Sequence, residues 1–188
     1  MTWPIATLAE RGIRTSDGIE HQVDCVVFAT GFDVDSRTGS PFPIIGKDGR
    51  SLADEWAGGA QGYKSVSVAG FPNLFFLFGP NSGPGHNSAL FYMESEIDYA
   101  VRAIRLIIAR DLRSFDVKRA VQDRYNADLQ RRLLRTTWSS GCDSWYLTKD
   151  GYNATMFPGF ATRFARLLGD LALDDYDMQA HAMGDRPG

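Results

Sequence analysis

One stretch constrains this chain more than any other: Leu74–Ser88, LFFLFGPNSGPGHNS. An apolar run stops at a turn holding three glycines and two prolines, the strongest punctuation a chain can carry. Past the turn, Leu90, Met93, Ile97, Val101, Ile104 and Ile108 recur at spacings of three and four, which predicts a long helix with an apolar face. Glu94, Glu96 and Asp98 come early in that helix and Arg102, Arg105 and Arg110 late, the order a helix dipole favours. Strand, glycine-rich turn and helix together are the grammar of a nucleotide site. Yet no G-x-G-x-x-G occurs anywhere in the chain, so the turn is not an ordinary pyrophosphate loop.

The other strong signal is VDCVVFA at 23–29, which predicts a second buried strand, ending in Ala29-Thr30-Gly31-Phe32. Upstream, the SDG at 16–18 predicts a hairpin turn between short strands. The apolar NLFFLF at 73–78 is itself predicted to be a buried strand. Residues 32–65 are rich in Gly, Pro, Ser and Asp, a long excursion with one short helix near Leu52 to Trp56. Further helices are expected from Val117 to Thr136, with Val117, Val121, Tyr125, Leu129 and Leu133 on one side, and over 162–173. Between them, 138–160 reads as an aromatic loop with a short strand at Trp145 to Leu147, and 181–188 as a frayed tail. The order is mixed α/β.

Composition narrows the function. With 188 residues, 44% hydrophobic and 23% charged, the chain can bury a sizeable core. A net charge of −3 gives no electrostatic case for nucleic acid or an anionic membrane surface. Two distant cysteines, Cys25 and Cys142, and three histidines offer neither a disulfide framework nor metal-ligand spacing. No run reaches the ~18 apolar residues of a membrane span. The expectation is a cytoplasmic protein of a reducing compartment, with no metal.

Three passages carry a resemblance. VVFATGFD resembles the A-T-G-[FY] segment of the flavin-dependent monooxygenases that act on ketones and heteroatoms, the Baeyer–Villiger and related flavin-containing monooxygenases. GFPNLFFLFGPNSGPGHNS at 70–88 is similar to a second landmark of those enzymes, followed in the next helix by a glutamate whose place Glu94 fills. GCDSWYLTKDGYNATMFPG at 141–159 resembles a passage near the C-terminus of one Baeyer–Villiger subgroup. The family's pyrophosphate loop, its fingerprint ending in Trp-Pro and its second glycine-rich motif are not in the chain. The resemblance therefore covers the C-terminal part of such an enzyme. It implies an α/β fold, the C-terminal fragment of a flavoprotein with two Rossmann-like dinucleotide-binding domains for FAD and NAD(P). In those terms 1–188 is an incomplete FAD/NAD(P)-binding domain, with 160–188 its C-terminal helix and tail.

The resemblance also implies chemistry. NADPH reduces FAD, the reduced flavin takes up dioxygen as a C4a-peroxyflavin, and one oxygen atom enters a ketone or is added to a heteroatom. The helix starting near His86 and Asn87 would meet the flavin ring, where free N–H groups favour negative charge. Asn81, Gly85, His86, Asn87 and Ser88 are then cofactor-binding candidates, and Ala29, Thr30, Gly31 and Phe32 lie where both cofactors approach. Trp145 resembles the tryptophan of a loop that closes over NADP. Each has a plainer reading: His86 and Asn87 as helix caps, Trp145 as a core aromatic beside Tyr146 and Phe157, Gly31 as an ordinary turn. No catalytic residue is assigned. Two other readings stay open, a pyridine-nucleotide-dependent flavin reductase and a non-enzymatic fragment or half of a split enzyme needing a complementary N-terminal polypeptide.

Overall fold

The structure is a computed structural model that describes residues 3–29, 42–139, 146–148 and 150–181. The chain divides into two compact units, Met1–Asp33 and Val34–Gly188.

In the first unit, β1 (Ile5–Ala9), β2 (Gly12–Thr15) and β3 (Glu20–Gln22) form an antiparallel sheet in that order. The predicted SDG turn is present. Gly18 has φ +87°, a conformation glycine adopts without strain, and its N–H donates to the Thr15 carbonyl at 2.9 Å. Asp17 accepts from the Thr15 hydroxyl at 2.6 Å and from the Ile19 N–H at 3.2 Å. The predicted buried strand at 23–29 is not formed. None of its residues joins a strand, and Val27 and Phe28 are 81% and 72% exposed. Its apolar side chains are suited to a sheet interior, but a strand exists only beside a partner, and no described residue pairs with this one.

The second unit holds α1 (Leu52–Glu55), α2 (Ala89–Ala109), β4 (Leu112–Val117), α3 (Arg119–Leu133), α4 (Ala161–Gly169) and β5 (Tyr176–Ala180). The three longer predicted helices and the short one are all present. The 117–136 helix begins two residues late, because Val117 ends β4, which pairs antiparallel with β5 across nearly sixty residues of sequence. This two-stranded ribbon, α2 and α4 enclose the main core, where Tyr92, Tyr99, Ala103, Phe115, Phe164 and Tyr176 are buried. The Tyr99 and Tyr176 hydroxyls are hydrogen-bonded to each other at 2.5 Å, and the Tyr63 hydroxyl donates to Asp175. These partners let the phenols of Tyr63, Tyr99 and Tyr176 sit inside, whereas the buried Tyr92 hydroxyl has no partner among the described residues.

Two expectations fail here for instructive reasons. The 73–78 segment is partly buried but is not a strand: it starts in a turn at Asn73, with φ +60°, and bends at Leu77 and Phe78, the latter with φ +59°. Its N–H groups go to different partners: Asn73 to the Phe115 carbonyl, Leu74 to Phe71, Phe76 to Val66, and Phe78 to the Glu96 carboxylate. No single ladder forms. On α2, the residues turned to the core are Tyr92, Glu96, Tyr99, Ala100 and Ala103. The apolar stripe visible in the sequence is instead at the surface, with Leu90 67%, Ile104 44% and Ile108 73% exposed. The predicted strand at Trp145 to Leu147 is reduced, among the described residues, to one bridge between Leu147 and Asn153. Trp145 and residues 182–188 lie outside the described residues.

Candidate functional site

The glycine-rich turn is locked before it reaches the helix. Asn81 is buried with φ +59°, and its side-chain amide donates to the carbonyls of Asn153 at 2.7 Å and Met156 at 3.1 Å. The backbone N–H groups of Asn81 and Gly83 donate to Ala154 and Thr155, and Phe157 donates back to Gly83. The turn thus runs beside 153–157, so two passages that read as separate landmarks are laid side by side. Gly85 sits where a Cβ would come within 2.0 Å of the Trp138 ring. Only glycine lets the chain pass there.

Ser88 is the N-cap of α2; its hydroxyl accepts from the Leu90 N–H at 3.3 Å. Asn87 turns its carbonyl oxygen back to the Ser88 N–H at 2.7 Å. His86 is exposed, its ring edge-on to Phe160 with centroids 6.0 Å apart. The cap of the helix is thus Ser88; of the two residues with a capping reading, Asn87 accepts only from the N–H of that cap residue and His86 is not the N-cap.

A cleft of about 700 Å³ opens at this helix N-terminus. Trp56, Phe76, Phe78, Pro80 and Met156 form its apolar walls, and Asn87 and Ala89 bring the start of α2 to its edge. Tyr146, whose ring lies edge-on to Trp138, closes another side. Apolar walls with a few polar groups and a 21-residue helix aimed by its positive end make a fitting bed for a flat ring with an electron-rich edge. The buried side-chain amide oxygen of Asn81, which sits between the cleft-lining Pro80 and Ser82, has no hydrogen-bond partner among the described residues. Of the predicted site residues, the structure brings together Asn81, Gly85, His86, Asn87 and Ser88. Ala29 belongs to the other unit, and Thr30, Gly31, Phe32 and Trp145 lie outside the described residues.

One residue at this site was not foreseen. Glu94, matched to the family glutamate, is exposed, while Glu96 is fully buried under the turn. Its carboxylate accepts from the Phe78 N–H at 2.5 Å. Burial pushes the carboxyl up to about 7, against the opposing pull of hydrogen bonds from Phe78, Ser82 and Gly79. The signal was available, since Tyr92, Glu96, Tyr99 and Ala103 are spaced 4, 3 and 4. A more apolar stripe on the same helix concealed it.

With this geometry in view, comparison with known proteins is direct. No protein-family model matches the chain. A Baeyer–Villiger monooxygenase of Pseudomonas aeruginosa is 46% identical over 183 residues, 95% of this chain and 34% of that protein. A Baeyer–Villiger monooxygenase of Streptomyces coelicolor is 36% identical over 167 residues, 87% of this chain and 32% of that protein. Among solved structures, a closed cyclohexanone monooxygenase and an oxidized steroid monooxygenase bound to NADP each superpose with a TM-score of 0.76 at 25% identity. Each match covers 95% of this chain and 34% of the other. The fold is therefore that of part of an α/β flavoprotein. The chain is a homologue of the flavin-containing monooxygenases of Baeyer–Villiger type, and spans about a third of the length of the relatives it matches.

Proposed function

We propose that this chain supplies the flavin-facing helix of an FAD- and NADPH-dependent monooxygenase, an enzyme that inserts one oxygen atom from O2 into a ketone or adds it to a heteroatom. The observation that carries the reading is the cleft at the N-terminus of α2, held open by the bonds between Asn81–Gly83 and 153–157. When bound, FAD supplies the acceptance of hydride from NADPH and the activation of oxygen. The residues of the chain do the rest by binding and exclusion. First-turn N–H groups of α2 favour negative charge at the ring edge brought to them. Trp56, Phe76, Phe78 and Met156 keep water out. Asn87, Ser88 and His86 offer polar contacts, and Gly85 keeps the turn close to Trp138. The resemblance alone assigns Ala29, Thr30, Gly31 and Phe32 to the place where both cofactors approach, and Trp145 to a loop that closes over NADP.

The reading includes a complementary polypeptide. Supporting it are the exposed apolar stripe of α2 and the exposed Val26–Phe28 segment, apolar surface of the kind a partner covers. The test is reconstitution. The purified chain is mixed with FAD, alone and with a polypeptide carrying the two-thirds of the Pseudomonas aeruginosa relative that it does not match. Flavin fluorescence and ketone-dependent NADPH oxidation are then followed. We expect neither retained flavin nor turnover from the chain alone, and both from the pair. A mixture that still fails to hold FAD would remove the flavin reading; a chain active by itself would remove the partner.

A further inference from the structure

A second cavity, of about 560 Å³, lies between α3 and the start of α4. Its charged lining is Arg132 and Asp128 from α3 and Arg163 and Arg166 from α4. Three guanidinium groups against one carboxylate leave two positive charges unmatched. Asp128 is moreover shared: it pairs with Arg131 at 3.1 Å and reaches Arg132 only at 4.0 Å. Among the described residues, neither the Arg163 nor the Arg166 side chain makes an ion pair or hydrogen bond. Burial and the adjacent Arg163 both push the Arg132 guanidinium below its usual range, with Asp128 and Tyr125 opposing. Like charges gathered around a hollow are costly unless something neutralises them.

The remaining lining says what that something is shaped like. Phe157, Phe160 and Leu167 give the cavity an apolar side, and the Arg132 guanidinium lies 5.7 Å from the Phe157 ring centre. Arg132 is fixed from behind by a 2.6 Å bond to the Pro158 carbonyl, which preorganises its remaining donors. Tyr125 also lines the cavity, with its buried hydroxyl turned toward Ser65. The N-cap of α4, Phe160, supplies no side-chain cap, so first-turn N–H groups are left at the cavity edge.

We propose that this cavity binds an organic phosphate, a phosphate monoester whose dianionic head meets Arg132, Arg163 and Arg166 while its apolar body lies on Phe157 and Phe160. A phosphate monoester carries about −1.5 to −2 charge at neutral pH, which matches the unmatched charge of the site, and its oxygens suit the guanidinium fork. A single carboxylate answers only one arginine. The site is separate from the flavin cleft, so its fate does not depend on the proposed function.

Titration calorimetry on the 188-residue chain with phenyl phosphate, inorganic phosphate and benzoate tests it. Phenyl phosphate is expected to bind at least tenfold more tightly than either of the others. Arg163→Gln with Arg166→Gln is expected to weaken it at least tenfold, with the far-UV spectrum unchanged because both side chains are on the exposed side of α4. Arg163→Lys with Arg166→Lys keeps the charge but not the fork, and is expected to retain part of the affinity that the glutamine pair loses. Equal binding of phenyl phosphate and benzoate would overturn the phosphate head, and equal binding of inorganic phosphate the organic body. Equal losses in the glutamine and lysine pairs would overturn the role of charge.

Discussion

Helix α2 has two apolar faces with opposite fates. One, through Tyr92, Tyr99 and Ala103, is sealed against α4 and the β4–β5 ribbon; the other, through Leu90, Val101, Ile104 and Ile108, faces outward. By side-chain hydrophobicity the second is the better core candidate. What decides is the partner: Tyr92 meets Phe164 with centroids 4.5 Å apart, and Tyr99 finds the Tyr176 hydroxyl. A face becomes core only where something complementary comes back to cover it. The sharpest way to break this comparison is at its buried side. Phe164 is fully buried against Tyr92 and Phe157. Phe164→Ala is expected to cost ~4 kcal/mol in urea unfolding, because transfer and cavity costs add. A loss below ~1 kcal/mol would mean that the α2–α4 face is not the core.

The buried face also carries a carboxyl withdrawn from water, whereas Glu94 on the outer face is exposed. Glu96 sits among aromatic residues beneath the cleft-lining turn, near Tyr125, and its carboxyl is pushed up to about 7 from an ordinary 4.5. A raised acid favours folding while protonated, so its contribution is whole below about 4.5 and is lost as pH rises through about 7. That shift corresponds to ~3 kcal/mol. Glu96→Gln keeps an acceptor for the Phe78 N–H and cannot ionise. Unfolding free energies of the two proteins, measured from pH 4 to 8, are expected to converge at the acid end, with the variant gaining ~3 kcal/mol by pH 8. Parallel curves would show that the Glu96 carboxyl is not desolvated.

These residues also mark how far the sequence could be read. The helices were legible because their periods are local, and the SDG hairpin because its turn chemistry is. The family resemblance was legible from three passages. Two kinds of fact were hidden. Strand pairing was one: β4 and β5 are short and meet across a long sequence separation, while Val23–Ala29 has a strand's composition and, past the bond from Val23 to Arg11, no paired strand among the described residues. The identity of the inward face was the other. It depends on residues far along the chain, such as Phe164 and Tyr176, so the period of α2 could not reveal that Glu96, rather than Glu94, lies under the turn.

The smallest effect is expected on the outer face, where it says most. Ile108 is 73% exposed in the last turn of α2. Isoleucine and serine have nearly equal helix propensity, so Ile108→Ser leaves the helix itself almost unchanged. In the isolated chain the substitution is expected to alter unfolding stability by no more than ~0.5 kcal/mol, as for most surface changes. Its effect belongs elsewhere. If the outer stripe is the surface that a complementary polypeptide covers, Ile108→Ser weakens reconstitution while leaving the urea curve in place. A loss of ~2 kcal/mol or more in the isolated chain would instead mean that both faces of α2 are already buried, and the contrast between them would disappear.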